Sequence, residues 1–207
     1  MSPRPRRQSA SEGDELEQVT RLLGRPPAAD LCVVVRSPDG TPAVIENAPF
    51  LRDGTPMPTR YWLVDPELRT AVSALESCGG VRGAEAAVDP ETLARAHDRY
   101  AAERDARIPA NHDGPRPAGG VGGTRAGVKC LHAHLAWWLV GGDDPVGAWV
   151  ADRIGLTARR GGQHLRSAAV RGGVGGAVSG GVGGAVSGGA AASTLDARRA
   201  LPGGARP

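Results

Sequence analysis

A chain of 207 residues that is 40% apolar but only 3% aromatic can build one core, resting on Leu, Val, Ala and four Trp. Its net charge of +3 hides an opposition: residues 1–10 hold three Arg and no acid, residues 158–207 hold seven Arg and one Asp, and the body between them is left at −6. Basic charge confined to the ends argues against specific nucleic-acid recognition, and three scattered cysteines (Cys32, Cys78, Cys130) with no CxxC pair argue against a disulfide framework.

Residues 1–12 are polar and rich in Pro, Arg and Ser, and are expected to form a disordered tail. No apolar stretch follows their arginines, so no secretory signal is read. The longest apolar run, LAWWLV (135–140), is far too short to span a bilayer. The expectation is a cytoplasmic protein without membrane insertion.

From Asp14 the pattern turns helical, with Leu16, Val19 and Leu23 on one face and Gly24 and Pro26 at the end. LCVVVR (31–36) and PAVIEN (42–47) flank the turn sequence SPDG, which predicts a hairpin. The Pro-rich stretch after it holds Asp53, Thr55, Thr59 and Arg60 and is read as a braced loop leading into a third strand, RYWLV (60–64). Helix starts then become legible. Asp65-Pro66, Asp89-Pro90 and Asp144-Pro145 each place an Asp cap before a proline at the first helical position. The charged helix after Asp89 is expected to turn His97 and Asp98 toward solvent.

Residues 109–127 show no periodicity, and a compact domain seldom keeps so long a loop without a functional reason. Beyond Gly161, GGVGGAVS occurs at 172–179 and again at 180–187, too few and too glycine-rich for a solenoid. The predicted fold is a single α+β domain over residues 13–158: an N-terminal helix, a small three-stranded antiparallel sheet, then four or five helices. A Gly/Ala/Arg-rich low-complexity tail (159–207) follows.

The stretch GVGGTRAGVKCLHAH (120–134) contains the only lysine beside 24 arginines. Three readings stay open. In the first, Gly119, Gly120, Gly122, Gly123 and Gly127 let backbone N–H groups converge before a helix beginning near Val128. Arg125 and Lys129 add charge, so that loop 119–129 binds an anionic, phosphorylated ligand. The spacing is neither a Walker A motif nor a phosphatase loop. In the second, Cys130, His132 and His134 supply two or three zinc ligands; Asp65, His97 and His112 are further donors that nothing in the sequence brings near, so no cofactor is expected. In the third, Leu131, Leu135 and Trp138 repeat at helical spacing and the stretch is simply the entry to a core helix. If chemistry occurs, His132 or His134 is the candidate proton donor. A rival class is a non-catalytic interaction or regulatory protein that uses Trp137, Trp138 or Trp149 against a protein partner.

LLGRPP (22–27), DGTPMPTRYWLVDPEL (53–68) and above all GVGGTRAGVKCLHAHLAWWLVGGDDPVGAWVADRIG (120–155) resemble an uncharacterised bacterial family, the domain of unknown function numbered 501, over roughly residues 18–155. The positions that carry the likeness include Arg25, Gly54, Thr55, Pro56, Thr59, Tyr61, Trp62, Lys129, Cys130, His132 and His134. The resemblance establishes no catalytic activity, and the interaction reading would link the chain to cell-envelope or division machinery. It also implies cysteines near the hairpin turn and just before the helix at 66, where this chain has SPDG (37–40) and Val64-Asp65.

Overall fold

A computed structural model describes residues 8–157 together with Arg166 and Ser167, and side-chain surroundings from Gly13 to Leu156. The repeats at 172–187 and the rest of the basic tail lie outside the described residues. Helix α1 (Gln8–Leu23) leads to β1 (Ala29–Arg36), β2 (Pro42–Leu51) and β3 (Tyr61–Leu63). Helices α2 (Pro66–Ser77), α3 (Gly80–Ala87) and α4 (Pro90–Asp105) follow, then a single 3-10 turn (Val121–Gly123), α5 (Leu131–Leu139) and α6 (Pro145–Arg153). This is the α+β order expected, with five helices after the sheet. Helix α1 reaches back to Gln8, six residues before the expected start. The chain also continues pairing beyond the expected boundary at 158, where β4 (Leu156–Thr157) meets β5 (Arg166–Ser167) antiparallel.

The three strands pair antiparallel in sequence order, with the β1–β2 hairpin closed by the Gly40 N–H donating to the Ser37 carbonyl at 2.9 Å. One side of the sheet meets α1 through a small cluster of Val19, Ile45 and Val64. Leu16 does not join it: it is 44% exposed, and Leu22 and Leu23 pack there instead. The main core lies on the other side, around α5, whose apolar sequence is buried nearly all round.

The three Asp-Pro starts behave as the capping chemistry demands. Asp65 accepts the Leu68 N–H, Asp89 accepts that of Thr92, and Asp144 accepts those of Val146 and Gly147. Trp137 is fully buried, stacked edge-on against Tyr100 at 5.3 Å between ring centroids, with its indole N–H donating to Glu103 at 3.0 Å. Trp138 and Trp149 are partly buried against the same core, so neither they nor Trp137 are among the exposed large apolar side chains of the described residues, which are Leu16 and Val34.

Helices α5 and α6 touch at their backbones. A Cβ placed on Gly147 would lie 2.4 Å from Trp138 Cβ and 2.6 Å from the His134 carbonyl oxygen. Helix propensity alone favours Ala over Gly by about 1 kcal/mol, but overpacking at such a contact costs about 1–3 kcal/mol. Gly147→Ala is therefore expected to lower the melting temperature in a thermal unfolding experiment. An unchanged or raised value would show that α5 and α6 do not approach this closely.

Candidate functional site

The long loop owes its course to two buried polar side chains of α4. Arg104, only 2% exposed, donates to the carbonyls of Gly119 (2.7 Å) and Pro117 (3.2 Å). His97 faces inward, not toward solvent as its charged surroundings suggested. Its Nδ1 accepts the Val121 N–H at 3.1 Å, and its Nε2–H donates to the Gly127 carbonyl at 3.0 Å. These partners require the neutral tautomer with the proton on Nε2. Gly120 is needed because any Cβ there would fall 2.4 Å from that of His97.

The glycine-rich stretch is thus shaped by contacts inside the protein. The N–H groups of Gly120, Gly123 and Thr124 donate to carbonyls within the loop, and Val128 donates to the Glu85 carboxylate at 2.8 Å. Helix α5 begins at Leu131, three residues later than expected, because Cys130 is still extended (φ −154°, ψ 119°) and serves as its N-cap. The Leu131 N–H is taken by Glu76 Oε1 at 2.7 Å. Two carboxylates, Glu85 and Glu76, thus take the N–H groups of Val128 and Leu131. Lys129 and Arg125 are exposed; Arg125 borders a small hollow of about 360 Å³ beside His97 and Arg104, and Lys129 borders neither that nor the larger cleft. Gly122 and Gly123 both hold left-handed φ in the 3-10 turn, and Gly127 presses on Glu85.

The larger cleft, about 1070 Å³, opens between β3, α2 and the start of α5. Arg25, Arg69, Cys130 and His132 are its ionisable walls besides Tyr61, and no carboxylate lines it among the described residues. Burial pushes the Tyr61 phenol up to about 12, so it stays a neutral hydroxyl. Arg25 lies over the Trp62 ring at 5.8 Å, and Arg69 donates to the Leu22 carbonyl at 3.2 Å. Of the positions that carry the sequence resemblance, Arg25, Thr59, Tyr61, Trp62, Cys130 and His132 gather here.

At the cleft wall, His132 Nδ1 lies 3.7 Å from Cys130 Sγ and 3.3 Å from Glu76 Oε1. Its Nε2 lies 3.2 Å from Ser73 Oγ and 3.3 Å from the Arg69 carbonyl. The hydrogen bond with Cys130, outweighing partial burial and helped by the Glu76 charge, raises the pKa of His132. The cluster pairs Cys130 with His132, not with His134. Once the helix starts at Leu131, His134 is carried inside, where it is wholly buried and donates from Nδ1 to Asp144 at 2.8 Å. His134 does not line the cleft. Glu76, 55 residues from Leu131 in sequence, is the member that sequence reading did not supply. The other donors considered lie elsewhere. Asp65 caps the opposite end of α2 from Glu76, eleven residues and roughly 16 Å away, and His112 stacks on Phe50 at 4.2 Å. The hairpin turn and the residue before α2 do meet, through the Ser37 hydroxyl donating to Asp65 at 2.5 Å.

Burial lowers the pKa of His97, against the raising effects of its Gly127 contact and of Asp144 and Asp98. Below the ordinary value of 6.5 the unfolded chain takes up a proton that the folded chain resists, so this group's contribution is full above 6.5 and is lost as the pH falls further. His97→Gln should therefore lower the melting temperature most at neutral pH, with the gap to wild type narrowing in acid. A gap that widens in acid would contradict this placement.

No curated protein and no solved structure matches the chain. The sequence model of one family, described as "Protein of unknown function (DUF501)", matches residues 33–152, from β1 through α6. That is more than half of the chain, and it takes in the sheet, the α2–α5 junction and most of the cleft. The chain belongs to the DUF501 family.

Proposed function

We propose that this protein binds an anionic small molecule with an apolar or aromatic body in the cleft between β3, α2 and α5. The observation that carries the reading is the composition of that cleft. Two guanidinium groups, an imidazole and five hydroxyls line it without a carboxylate among the described residues, in a body whose net charge is −6. Such a local inversion of charge would draw an anion in. The floor of Leu23, Leu63, Pro66 and Ala133, with Trp62 beside Arg25, would accept a ring or an alkyl group. The volume suits a ligand of nucleotide or sugar-phosphate size.

This reading keeps the anionic ligand expected from the sequence but moves it from loop 119–129 to the cleft. Gly122, Gly123, Arg125, Gly127 and Lys129 then serve the loop's own architecture. A phosphorylated ligand fits because guanidinium groups pair with phosphate oxygens in a bidentate manner.

Calorimetry against inorganic phosphate, nucleoside monophosphates and sugar phosphates tests the proposal. A charge-assisted contact is worth about 1.5–3 kcal/mol, so Arg25→Ala and Arg69→Ala should each weaken binding by roughly tenfold to a hundredfold. Lys129→Ala should change affinity less than about twofold, as an exposed group outside the site. Binding that is lost in Lys129→Ala and kept in Arg69→Ala would return the site to the loop. No binding to any of these anions would overturn the reading altogether.

A further inference from the structure

We infer that Glu76, Cys130 and His132 form a three-ligand zinc site whose fourth position faces the cleft. The inference rests on the cluster alone and holds whether or not the cleft takes an anion. Cys130 Sγ, His132 Nδ1 and a Glu76 carboxylate oxygen all lie within 4.8 Å of one another. A tetrahedral zinc ion with bonds of about 2.3 Å to sulfur and about 2.0–2.2 Å to nitrogen and oxygen sets its ligands roughly 3.3–3.6 Å apart. The observed 3.7 Å from Sγ to Nδ1 and 3.3 Å from Nδ1 to Oε1 are close to those edges.

The groups behind the three side chains point the same way. The Arg69 carbonyl beside His132 Nε2 can accept the ring proton from that nitrogen, which would leave Nδ1 free to offer its lone pair to a metal in the cluster. A ring nitrogen fixed by a backbone carbonyl is the usual support of a metal-binding histidine. Glu76 Oε1 is held by the Leu131 N–H at 2.7 Å, which orients the carboxylate in the same manner. Without a metal ion, a proton on Nδ1 can bridge to the Glu76 oxygen at 3.3 Å, and zinc would take that proton's place. The mixture of sulfur, nitrogen and oxygen suits zinc far better than magnesium or calcium, which take oxygen. Cys130 and His132 both line the cleft, so a fourth ligand would enter from that side. His134, bonded to Asp144 inside the core, takes no part.

The full chain, purified without chelator and dialysed, is expected to hold about one zinc per chain by elemental analysis. Cobalt replacing it should give the near-ultraviolet thiolate-to-metal band and the visible bands of a tetrahedral ion. Cys130→Ser should abolish the thiolate band, while Cys32→Ser, an exposed cysteine elsewhere, should leave it unchanged. Glu76→Gln keeps an acceptor for the Leu131 N–H and so should fold. It should weaken zinc binding by more than the roughly tenfold to hundredfold that outer supports supply. Chain that neither retains zinc nor takes up cobalt with a thiolate band would overturn the inference. So would a metal content unchanged in Cys130→Ser.

Discussion

The Glu76 carboxylate, set against the first N–H of α5, governs how the rest of the site is arranged. A helix start leaves its leading N–H groups without partners, and one buried without an acceptor costs about 1–3 kcal/mol. Here the acceptor comes from the last turn of α2 rather than from the N-cap side chain, because Cys130 makes no capping hydrogen bond. With the contacts of His132 to Ser73 and the Arg69 carbonyl, this contact ties α2 to α5 at the helix start at Leu131, where Cys130 and His132 line the cleft. It also sends His134 the other way. Negative charge at a helix N-terminus is favourable, so Glu76 supports the helix and faces His132 with the same oxygen.

The glycine-rich stretch acquires a different meaning in this setting. Its glycines lie where backbone passes against α4, against α3 and against itself, and the N–H groups of Gly120, Val121, Gly123, Thr124 and Val128 are spent on the protein. Arg104 and His97 hold the return of the long loop from one side, and Glu85 holds it from the other. In three dimensions the segment acts as a brace. What it braces is the approach to α5, and through α5 the cleft.

Local rules made much of the fold legible. An Asp followed by Pro caps a helix through contacts two or three residues apart, and all three such starts occur where the sequence places them. The hairpin was equally readable from its turn and its β-rich flanks. The failures share a cause of another kind. Periodicity puts Leu16 on one face with Val19 and Leu23, yet Leu16 is 44% exposed, because periodicity reports a stripe and not which of its residues the sheet covers. His97 was assigned to solvent because charged neighbours outvoted the loop that folds over it. The start of α5 was placed too early because a glycine run resembles a helix entry, whereas the extended Cys130 is set by Glu76 from afar. At the site, Cys130 and His132 could be named from the sequence. Glu76, Arg69 and Ser73 could not, since only the packing of α2 on α5 brings them close.

The cleft has guanidinium groups and hydroxyls around its opening and a thiol and an imidazole in its wall, while the Glu76 carboxylate meets that imidazole outside the lining. The zinc inference depends on which nitrogen of His132 meets the ion. Nitrogen NMR that correlates the ring nitrogens with the ring protons reads this directly in the zinc-loaded protein. The account predicts the proton on Nε2, against the Arg69 carbonyl, and an Nδ1 without a proton that meets the ion beside Cys130 and Glu76. A proton on Nδ1 would contradict it.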